Sequence, residues 1–214
     1  MTPSDDVRIG RLAELGAGVG VVGLVSLGLM FAIEVPSGGP YRFGTINDLS
    51  GAAFNALLIP VAIRIARDVR DDTPVRLATG AAVTAACAGT VLPILLVSGA
   101  VPFEVQMPLV VACIEVQSLW LIVLGQAIRR VPGRERLGTV SQVTGASFIA
   151  GSALFGAGFA APEGSPLRMA AWALGGLVGV AGYVGWPYWF HAVGRALRRR
   201  GAAARSGGLA WTRP

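Results

Sequence analysis

Residues 106–128 read QMPLVVACIEVQSLWLIVLGQAI, an apolar run of 23 residues in which Glu115 is the only charged side chain. A helix needs about 20 apolar residues to cross a hydrocarbon core of roughly 30 Å. Five further stretches have this character or come close to it. The six predicted spans are residues 12–33, 49–66, 77–98, 106–128, 137–160 and 169–190. The second is the least apolar, because Asn55 and Pro60 lie within it.

The composition of the whole chain agrees with this pattern. Its 214 residues are 53% hydrophobic and 14% charged, whereas a soluble domain carries about a quarter of its residues as charged side chains. We therefore predict an all-α fold, a polytopic transmembrane helix bundle of about six spans. The bundle is expected to form a single domain over residues 1–193, followed by a basic cytoplasmic tail over residues 194–214.

Arginine is distributed unequally between the two sides that these spans define. All 18 basic residues are arginines, and 16 of them precede the first span, lie in the second and fourth connections or belong to the tail. Only Arg42 and Arg168 fall on the other side. Because cytoplasmic loops are enriched in Lys and Arg, both termini are predicted to be cytoplasmic. A composition rich in Ala, Gly and Arg without lysine is typical of a GC-rich genome, so we predict a multi-pass protein of the bacterial cell (inner or plasma) membrane.

The ends of the spans resemble one another. Odd spans begin with Arg-Leu-Ala or Arg-Leu-Gly at residues 11–13, 76–78 and 136–138, and even spans end with Ala-Ile-Arg or Ala-Leu-Arg at residues 62–64, 127–129 and 196–198. One interpretation is a repeat of three helical hairpins with the same orientation, as in some transporters. The other is that biased composition and the need for arginine at inner helix ends produce the similarity. The sequence leaves both open.

Glu115 lies near the middle of the fourth span, where an ionisable side chain costs several kcal/mol unless it is paired, protonated or hydrated. On a helical wheel Ser118 and Gln126 share its face, while Asp48 and Asn55 share a face of the second span. If the two faces meet, Asn55 lies opposite Glu115. The sequence therefore predicts a polar membrane site for a proton or a cation, formed by Asp48, Asn55, Glu115, Ser118 and Gln126. The alternative is a structural hydrogen bond between helices.

The fourth span carries a second polar face. Gln106, Cys113 and Gln117 lie on the side of the helix opposite Glu115. A helix with polar groups on two sides has no broad apolar face to turn to lipid. This pattern predicts a central position in the bundle or a position at an oligomer interface.

Motifs for catalysis or for metal binding are missing from the sequence. Cys87 and Cys113 lie inside apolar runs, which indicates neither a disulfide framework nor a CxxC metal site. His191 is the only histidine, and it belongs to the inner end of the last span. We therefore predict a protein that is not an enzyme and that holds no metal and no cofactor. Trp186, Tyr188 and Trp189, near the same end, are expected in the lipid headgroup layer.

The predicted partners are the lipid bilayer and other membrane proteins. Arg195, Arg198, Arg199 and Arg200 form a basic cluster that is expected to contact anionic lipid. Glycines spaced four apart, at positions 16 and 20 and at positions 175 and 179, favour close helix packing, within the chain, in a homo-oligomer or with a partner protein. Nucleic-acid binding is not expected, because topology accounts for the charge.

Three functions remain compatible with the sequence, and the one with the least support is a membrane enzyme whose motif the sequence does not reveal. The first is a small transporter-like or ligand-binding helical bundle, with a buried carboxylate at mid-membrane and a ligand that the sequence does not identify. The second is a non-catalytic membrane subunit or scaffold that associates through its glycine-rich helix faces.

Overall fold

A computed structural model describes residues 3–69 and 72–206, and these residues form an all-helical bundle without strands. The six long helices are α1 (Pro3–Leu29), α2 (Arg42–Ala66), α3 (Thr73–Val97), α4 (Phe103–Arg129), α5 (Glu135–Ala160) and α6 (Pro166–Ser206). Each of them is long and apolar enough to cross a membrane. The six predicted spans are confirmed as helices, and most helices extend beyond the apolar run that predicted them. Of the predicted tail 194–214, residues 207–214 lie outside the described residues.

A structured turn connects α1 to α2. After Leu29 the chain continues through a π-helical turn, Met30–Glu34, and a short helical turn, Val35–Ser37. The buried carboxylate of Glu34 accepts hydrogen bonds from the backbone N–H groups of Phe43 at 2.9 Å and Gly44 at 3.2 Å. These donors belong to the first turn of α2, where a negative charge stabilises a helix. Glu34 therefore fixes the entry into α2.

The helices form a closed ring. Each long helix packs against its neighbours in the sequence, and α6 also packs against α1. Odd-numbered helices run in one direction and even-numbered helices in the other. We call the end where α1 begins and α6 finishes the basic end, because most arginines lie there, and we call the other the acidic end. All six helices thus surround a common interior.

An ion-pair network joins separate parts of the chain at the basic end. Arg64 of α2 contacts Asp6 of α1 at 2.6 Å and Asp68, just after α2, at 2.7 Å. Asp68 also binds Arg134, from the connection between α4 and α5, and Arg200 of α6, each at 2.7 Å. Arg64, Asp6 and Asp68 are largely shielded from solvent. The network therefore holds α1, α2 and α6 together with the start of α5.

The junction between α4 and α5 depends on two glycines. A Cβ atom on Gly125 would lie 2.6 Å from the carbonyl oxygen of Gly138, which leaves no room for a larger residue. The close approach brings Arg129 to Gln142, and Arg129 Nη1 donates a hydrogen bond to Gln142 Oε1 at 2.9 Å. Small residues allow such an approach between membrane helices.

The junction between α6 and α1 has the same construction. A Cβ atom on Gly194 would lie 2.8 Å from the carbonyl oxygen of Gly10, and Arg198 forms an ion pair with Glu14. The spacing of four residues from glycine to polar partner is the same on all four helices of the two junctions. The three-hairpin repeat is therefore supported at two junctions. In the packing, Gly10 of α1 corresponds to Gly138 of α5, so the first copy of the repeat begins at Arg8. The sequence pattern alone indicates a start three residues later, at Arg11.

A buried aromatic layer crosses the interior. Trp120 and Trp189 contact each other with ring centroids 5.6 Å apart, and Trp186, Phe190 and Phe54 extend the layer. Trp189 is 0% exposed and Trp186 is 6% exposed. Their predicted place in the headgroup layer is therefore wrong. The physical reason is that both side chains point into the bundle, where they pack against other aromatic rings.

Two hydrogen bonds anchor this aromatic layer. Trp120 Nε1 donates to Thr79 Oγ1 at 3.0 Å, within the hairpin formed by α3 and α4. Trp189 Nε1 donates to Ser141 Oγ at 2.8 Å, within the hairpin formed by α5 and α6. A buried indole N–H needs such a partner. Each of these hairpins therefore places one tryptophan in the centre of the ring.

Candidate functional site

The first hairpin differs from the other two at the centre of the ring. Trp120 lies nine residues before Arg129, and Trp189 lies nine residues before Arg198. These two arginines end the Ala-Ile-Arg and Ala-Leu-Arg sequences of α4 and α6. The residue nine positions before Arg64, the corresponding arginine of α2, is Asn55. A small polar side chain thus stands where the other hairpins carry a tryptophan, and it leaves space beside it.

Asn55 belongs to a polar pair between α2 and α4. Gln117 Nε2 donates to Asn55 Oδ1 at 2.8 Å, and Asn55 Nδ2 donates to the carbonyl oxygen of Gly51 at 2.9 Å. A Cβ atom on Gly89 of α3 would lie 2.9 Å from the Asn55 amide, so only glycine leaves room for it there. Three helices therefore fix the position of this amide pair.

A cavity of about 160 Å³ lies beside the pair and is lined by residues from all six helices. Examples, one from each helix in order, are Gly23, Asn55, Pro93, Gln117, Phe148 and Tyr183. The cavity extends from Asp48 and Gln106, within the first two turns of α2 and α4 at the acidic end, to Trp186 of the aromatic layer. A volume of this order accommodates several water molecules or a small solute.

The lining is mixed in polarity. Asn47, Asp48, Asn55, Gln106 and Gln117 contribute polar side chains, and aromatic rings complete the wall. Among the residues that the structure describes, Asp48 is the only charged one in the lining. Within residues 3–69 and 72–206 its carboxylate has neither an ion pair nor a hydrogen bond. A carboxylate without a partner beside a cavity is available to a solute.

Two prolines add hydrogen-bond acceptors to the lining. Because proline has no N–H, Pro93 deprives the carbonyl group of Gly89 of its usual helical partner, and Pro187 does the same for Tyr183. All four of these residues line the cavity. Backbone polar groups of this kind are tolerated at membrane depth where they line a cavity.

The side of the cavity that faces the basic end is closed twice. The aromatic layer comes first, with Trp120, Trp189 and Phe190 fully buried. The ion-pair network around Asp68 lies beyond it, since Arg200 follows Trp189 by 11 residues, or about 16 Å of helix. The cavity is therefore separated from the basic end by two different kinds of contact.

The structure divides the predicted polar site into two groups. Asp48 and Asn55 line the cavity together. Glu115, Ser118 and Gln126 do not line it, and the amide partner of Asn55 is Gln117 in place of Glu115. Gln117 lies two residues after Glu115, or 200° further around the helix. Glu115 consequently points away from the cavity.

The three excluded residues occupy the other side of α4. Glu115 is half-buried, and its Oε1 atom is shielded from solvent without a hydrogen-bond partner among the described residues. Ser118 is fully buried, with its backbone carbonyl against Gly145 of α5. Gln126 is exposed near the basic end. They therefore belong to the contact between α4 and α5 and to the outer surface.

Sequence reasoning passed over the residues that complete the site on α4. Gln106, Cys113 and Gln117 all line the cavity, and Gln106 and Gln117 are buried. The signal was their common face, with spacings of seven and four residues. From the sequence, this polar face indicates only that the helix is central or lies at an interface. A helical wheel shows which residues share a face, but it does not show which face points inward.

The predicted lipid-binding arginines also fall into two groups. Arg198 pairs with Glu14, and Arg200 pairs with Asp68. Arg195 and Arg199 are exposed and form no ion pair within the described part of the chain. Contact with anionic lipid stays a prediction for this cluster.

All four glycines predicted as packing positions are used inside the chain, and a Cβ atom on Gly151 would lie 2.7 Å from the backbone of Gly179. Gly16 packs against the ring of Phe190, a Cβ atom on Gly20 would lie 2.9 Å from Pro187, and one on Gly175 would lie 2.6 Å from the backbone of Phe155. These contacts belong to the ring itself. They are therefore occupied before any partner protein binds.

The fold and the site together define an all-α bundle of six membrane-length helices around a polar cavity. No protein-family model, no curated protein and no solved structure matches the chain. Among residues 3–69 and 72–206, no three His, Cys, Asp or Glu side chains are grouped closely enough to hold a metal ion.

Proposed function

We propose that this protein is a small transporter-like bundle that binds a small polar solute with a positive charge in the cavity beside Asn55. The observation that carries the proposal is a cavity lined by all six helices, with Asp48 as its only charged residue. Its closure toward the basic end supports entry from the acidic end. By the arginine distribution, the acidic end faces away from the cytoplasm.

The chemistry of the lining supports a cationic solute. The Asp48 carboxylate supplies the counter-charge, and no arginine lines the cavity. Phe54, Tyr183 and Trp186 present aromatic rings, which attract cations through their π faces. The amides of Asn55 and Gln117 add both hydrogen-bond donors and acceptors. A small amine or a quaternary ammonium ion combines the properties that these groups recognise.

The contacts that close the cavity toward the basic end support transport of the solute over its permanent binding. Alternating access requires contacts on one side of a site that can separate as a unit. The ion pairs of Asp68 with Arg134 and Arg200 are partly exposed, and the helices beside the cavity contain Pro93 and Pro187. Separation of α6 from α2 would open a path toward the basic end.

The alternative, a non-catalytic subunit or scaffold that associates through glycine faces, has less support. Its proposed docking residues Gly16, Gly20 and Gly175 already make close contacts within the ring. It also leaves the unpaired Asp48 beside a polar cavity without a role.

The proposal is tested by thermal unfolding of the purified protein with a set of small probes. Tetramethylammonium and ethylammonium are expected to raise the unfolding temperature in a concentration-dependent manner, because ligands that bind only the folded state stabilise it. Urea and acetate at the same concentrations serve as neutral and anionic comparisons. Equal stabilisation by acetate would contradict a cationic site.

Two substitutions and a control assign the response to the cavity. Asp48→Asn removes the only charge, and Asn55→Trp introduces the side chain that the other two hairpins carry, so both should abolish the response to tetramethylammonium. Glu104→Gln removes an exposed carboxylate at the same end that does not line the cavity, and it should leave the response unchanged. A response that survives in the Asp48 variant would refute the proposed site.

A further inference from the structure

The arginines at the basic end divide into paired and unpaired residues. Arg64, Arg134 and Arg200 have aspartate partners. Arg11 and Arg199, in contrast, are exposed and form no ion pair within residues 3–69 and 72–206, and the same holds for Arg195. The paired arginines hold the helices together, whereas the unpaired ones have no counter-charge in the described part of the chain.

Three of the unpaired arginines, Arg11, Arg195 and Arg199, come together in one place. They line a surface pocket of about 480 Å³ between α1 and α6, formed by Val7, Arg11, Arg195, Arg198, Arg199 and Ala202. The close approach of Gly10 to Gly194 positions the two helices there. Arg198 is held by Glu14, so its side chain forms a fixed wall of the pocket. Three uncompensated positive charges from two helices therefore face one volume.

The pocket lies at the level where an apolar surface changes to a charged one. Leu15, one turn along α1 from Arg11, is 56% exposed, as expected for a side chain that faces lipid. Tyr188, two turns before Arg195 on α6, is also exposed, and tyrosine is typical of the membrane interface. In a membrane, lipid phosphates lie where an apolar protein surface changes to a charged one.

We propose that this pocket, which we call the α1–α6 basic pocket, binds the phosphate headgroup of an anionic phospholipid. Guanidinium groups match phosphate oxygens in pairs of hydrogen bonds, which favours arginine for this ligand. The membrane-level position favours a lipid over free phosphate. The pocket differs from the basic cluster predicted from sequence in two residues. It includes Arg11, and it excludes Arg200, which Asp68 already neutralises.

The test measures binding of short-chain phosphatidylglycerol and phosphatidylcholine to the purified full chain in neutral detergent, by native mass spectrometry. The wild-type protein should prefer phosphatidylglycerol. Each arginine near an anionic headgroup contributes about fivefold in affinity. The variant R11Q/R195Q/R199Q should therefore bind phosphatidylglycerol on the order of a hundredfold more weakly.

A matched variant separates a defined pocket from general attraction. R76Q/R129Q/R136Q removes three exposed arginines from the same end outside the pocket, and its affinity should stay close to that of the wild type. An equal loss in both triple variants would overturn the proposal. If R11Q/R195Q/R199Q does not fold, the three single variants replace it, each with an expected loss of about fivefold. Unchanged affinity in all three would also overturn the proposal.

Inorganic phosphate distinguishes the two sources of the ligand. Millimolar inorganic phosphate should not displace phosphatidylglycerol, because the glycerol and acyl parts of the lipid add contacts that free phosphate lacks. Complete displacement at that concentration would identify the pocket as a site for soluble phosphate and would refute the lipid assignment.

Discussion

Replacement of Asp68 by asparagine removes the charge on which the ion-pair network converges. Asp68 accepts hydrogen bonds from Arg64, Arg134 and Arg200, each at 2.7 Å. Asparagine keeps one acceptor oxygen and nearly the same shape, so the substitution tests charge with little change in packing. The side chains of Asp68 and Arg64 are 9% and 5% exposed, which makes their pair a buried one.

The expected loss follows from this burial. Removal of one partner from a buried ion pair costs about 3–5 kcal/mol, because the other charge is left without compensation. Arg64 keeps its second partner, Asp6, in the variant, which favours the lower part of this range. The ion pairs of Asp68 with Arg134 and Arg200 are partly exposed and contribute less than about 1 kcal/mol each. We therefore expect a loss of about 3 kcal/mol, or roughly 6–12 °C in unfolding temperature for a chain of this size.

Asp72→Asn is the matched control for this measurement. Asp72 pairs only loosely with Arg130, at 3.7 Å, and Arg130 is 76% exposed. Asp72 also caps α3 by accepting a hydrogen bond from the N–H of Val75, and asparagine caps a helix equally well. The control should lose less than about 1 kcal/mol. If both variants unfold at the same temperature in detergent, the network around Asp68 does not stabilise the fold as argued.

Further substitutions examine the interior. Glu115→Gln should leave the response to tetramethylammonium and the folded yield unchanged, because Glu115 does not line the cavity; a lost response would return the functional role to this carboxylate. Gly89→Ala should weaken the response to tetramethylammonium, because its Cβ atom would lie 2.9 Å from the Asn55 amide. Gly80→Ala is the control: Gly80 has open space around it, so this substitution should be neutral or slightly stabilising. Similar effects of the two substitutions on binding would argue against the close contact between Gly89 and Asn55. Trp189→Phe removes the hydrogen bond to Ser141 and part of the aromatic layer, and it should lower the free energy of unfolding by about 2 kcal/mol, measured by denaturant titration. An unchanged midpoint would contradict that role for the indole.

The six helices were predictable because hydropathy over a span of membrane length is a strong signal. The half-site of Asp48 and Asn55 was also predictable, since both residues lie on one face of a single helix. Gln117 is not identified by the sequence, because the energetic cost of a buried carboxylate favours Glu115, on the opposite face of the helix, as the functional residue. Periodicity gives the relation between residues on one helix, but the inward direction depends on the neighbouring helices.

Contacts between distant parts of the chain were beyond sequence reasoning. Arg64 and Asp6 are 58 residues apart, and Arg200 and Asp68 are 132 residues apart. From the sequence, Arg64 is only a topological signal and Arg200 is a topological signal and an expected lipid contact, although both neutralise buried aspartates. The similarity between helix ends is visible in the sequence, but the alignment of the first helix with the others required the packing of Gly10 against Gly194.

The central claim, a water-accessible cavity that is open to the acidic end and prefers cations, is tested most directly by the reactivity of Cys113. This cysteine lines the cavity, and Cys87, the other one, is replaced by alanine so that Cys113 is the only thiol. Membrane-impermeant methanethiosulfonates, one with a trimethylammonium group and one with a sulfonate group, are added separately to each side of oriented vesicles. We expect Cys113 to react from the acidic end, and faster with the cationic reagent than with the anionic one. No reaction from either side, or reaction only from the basic end, would contradict the account.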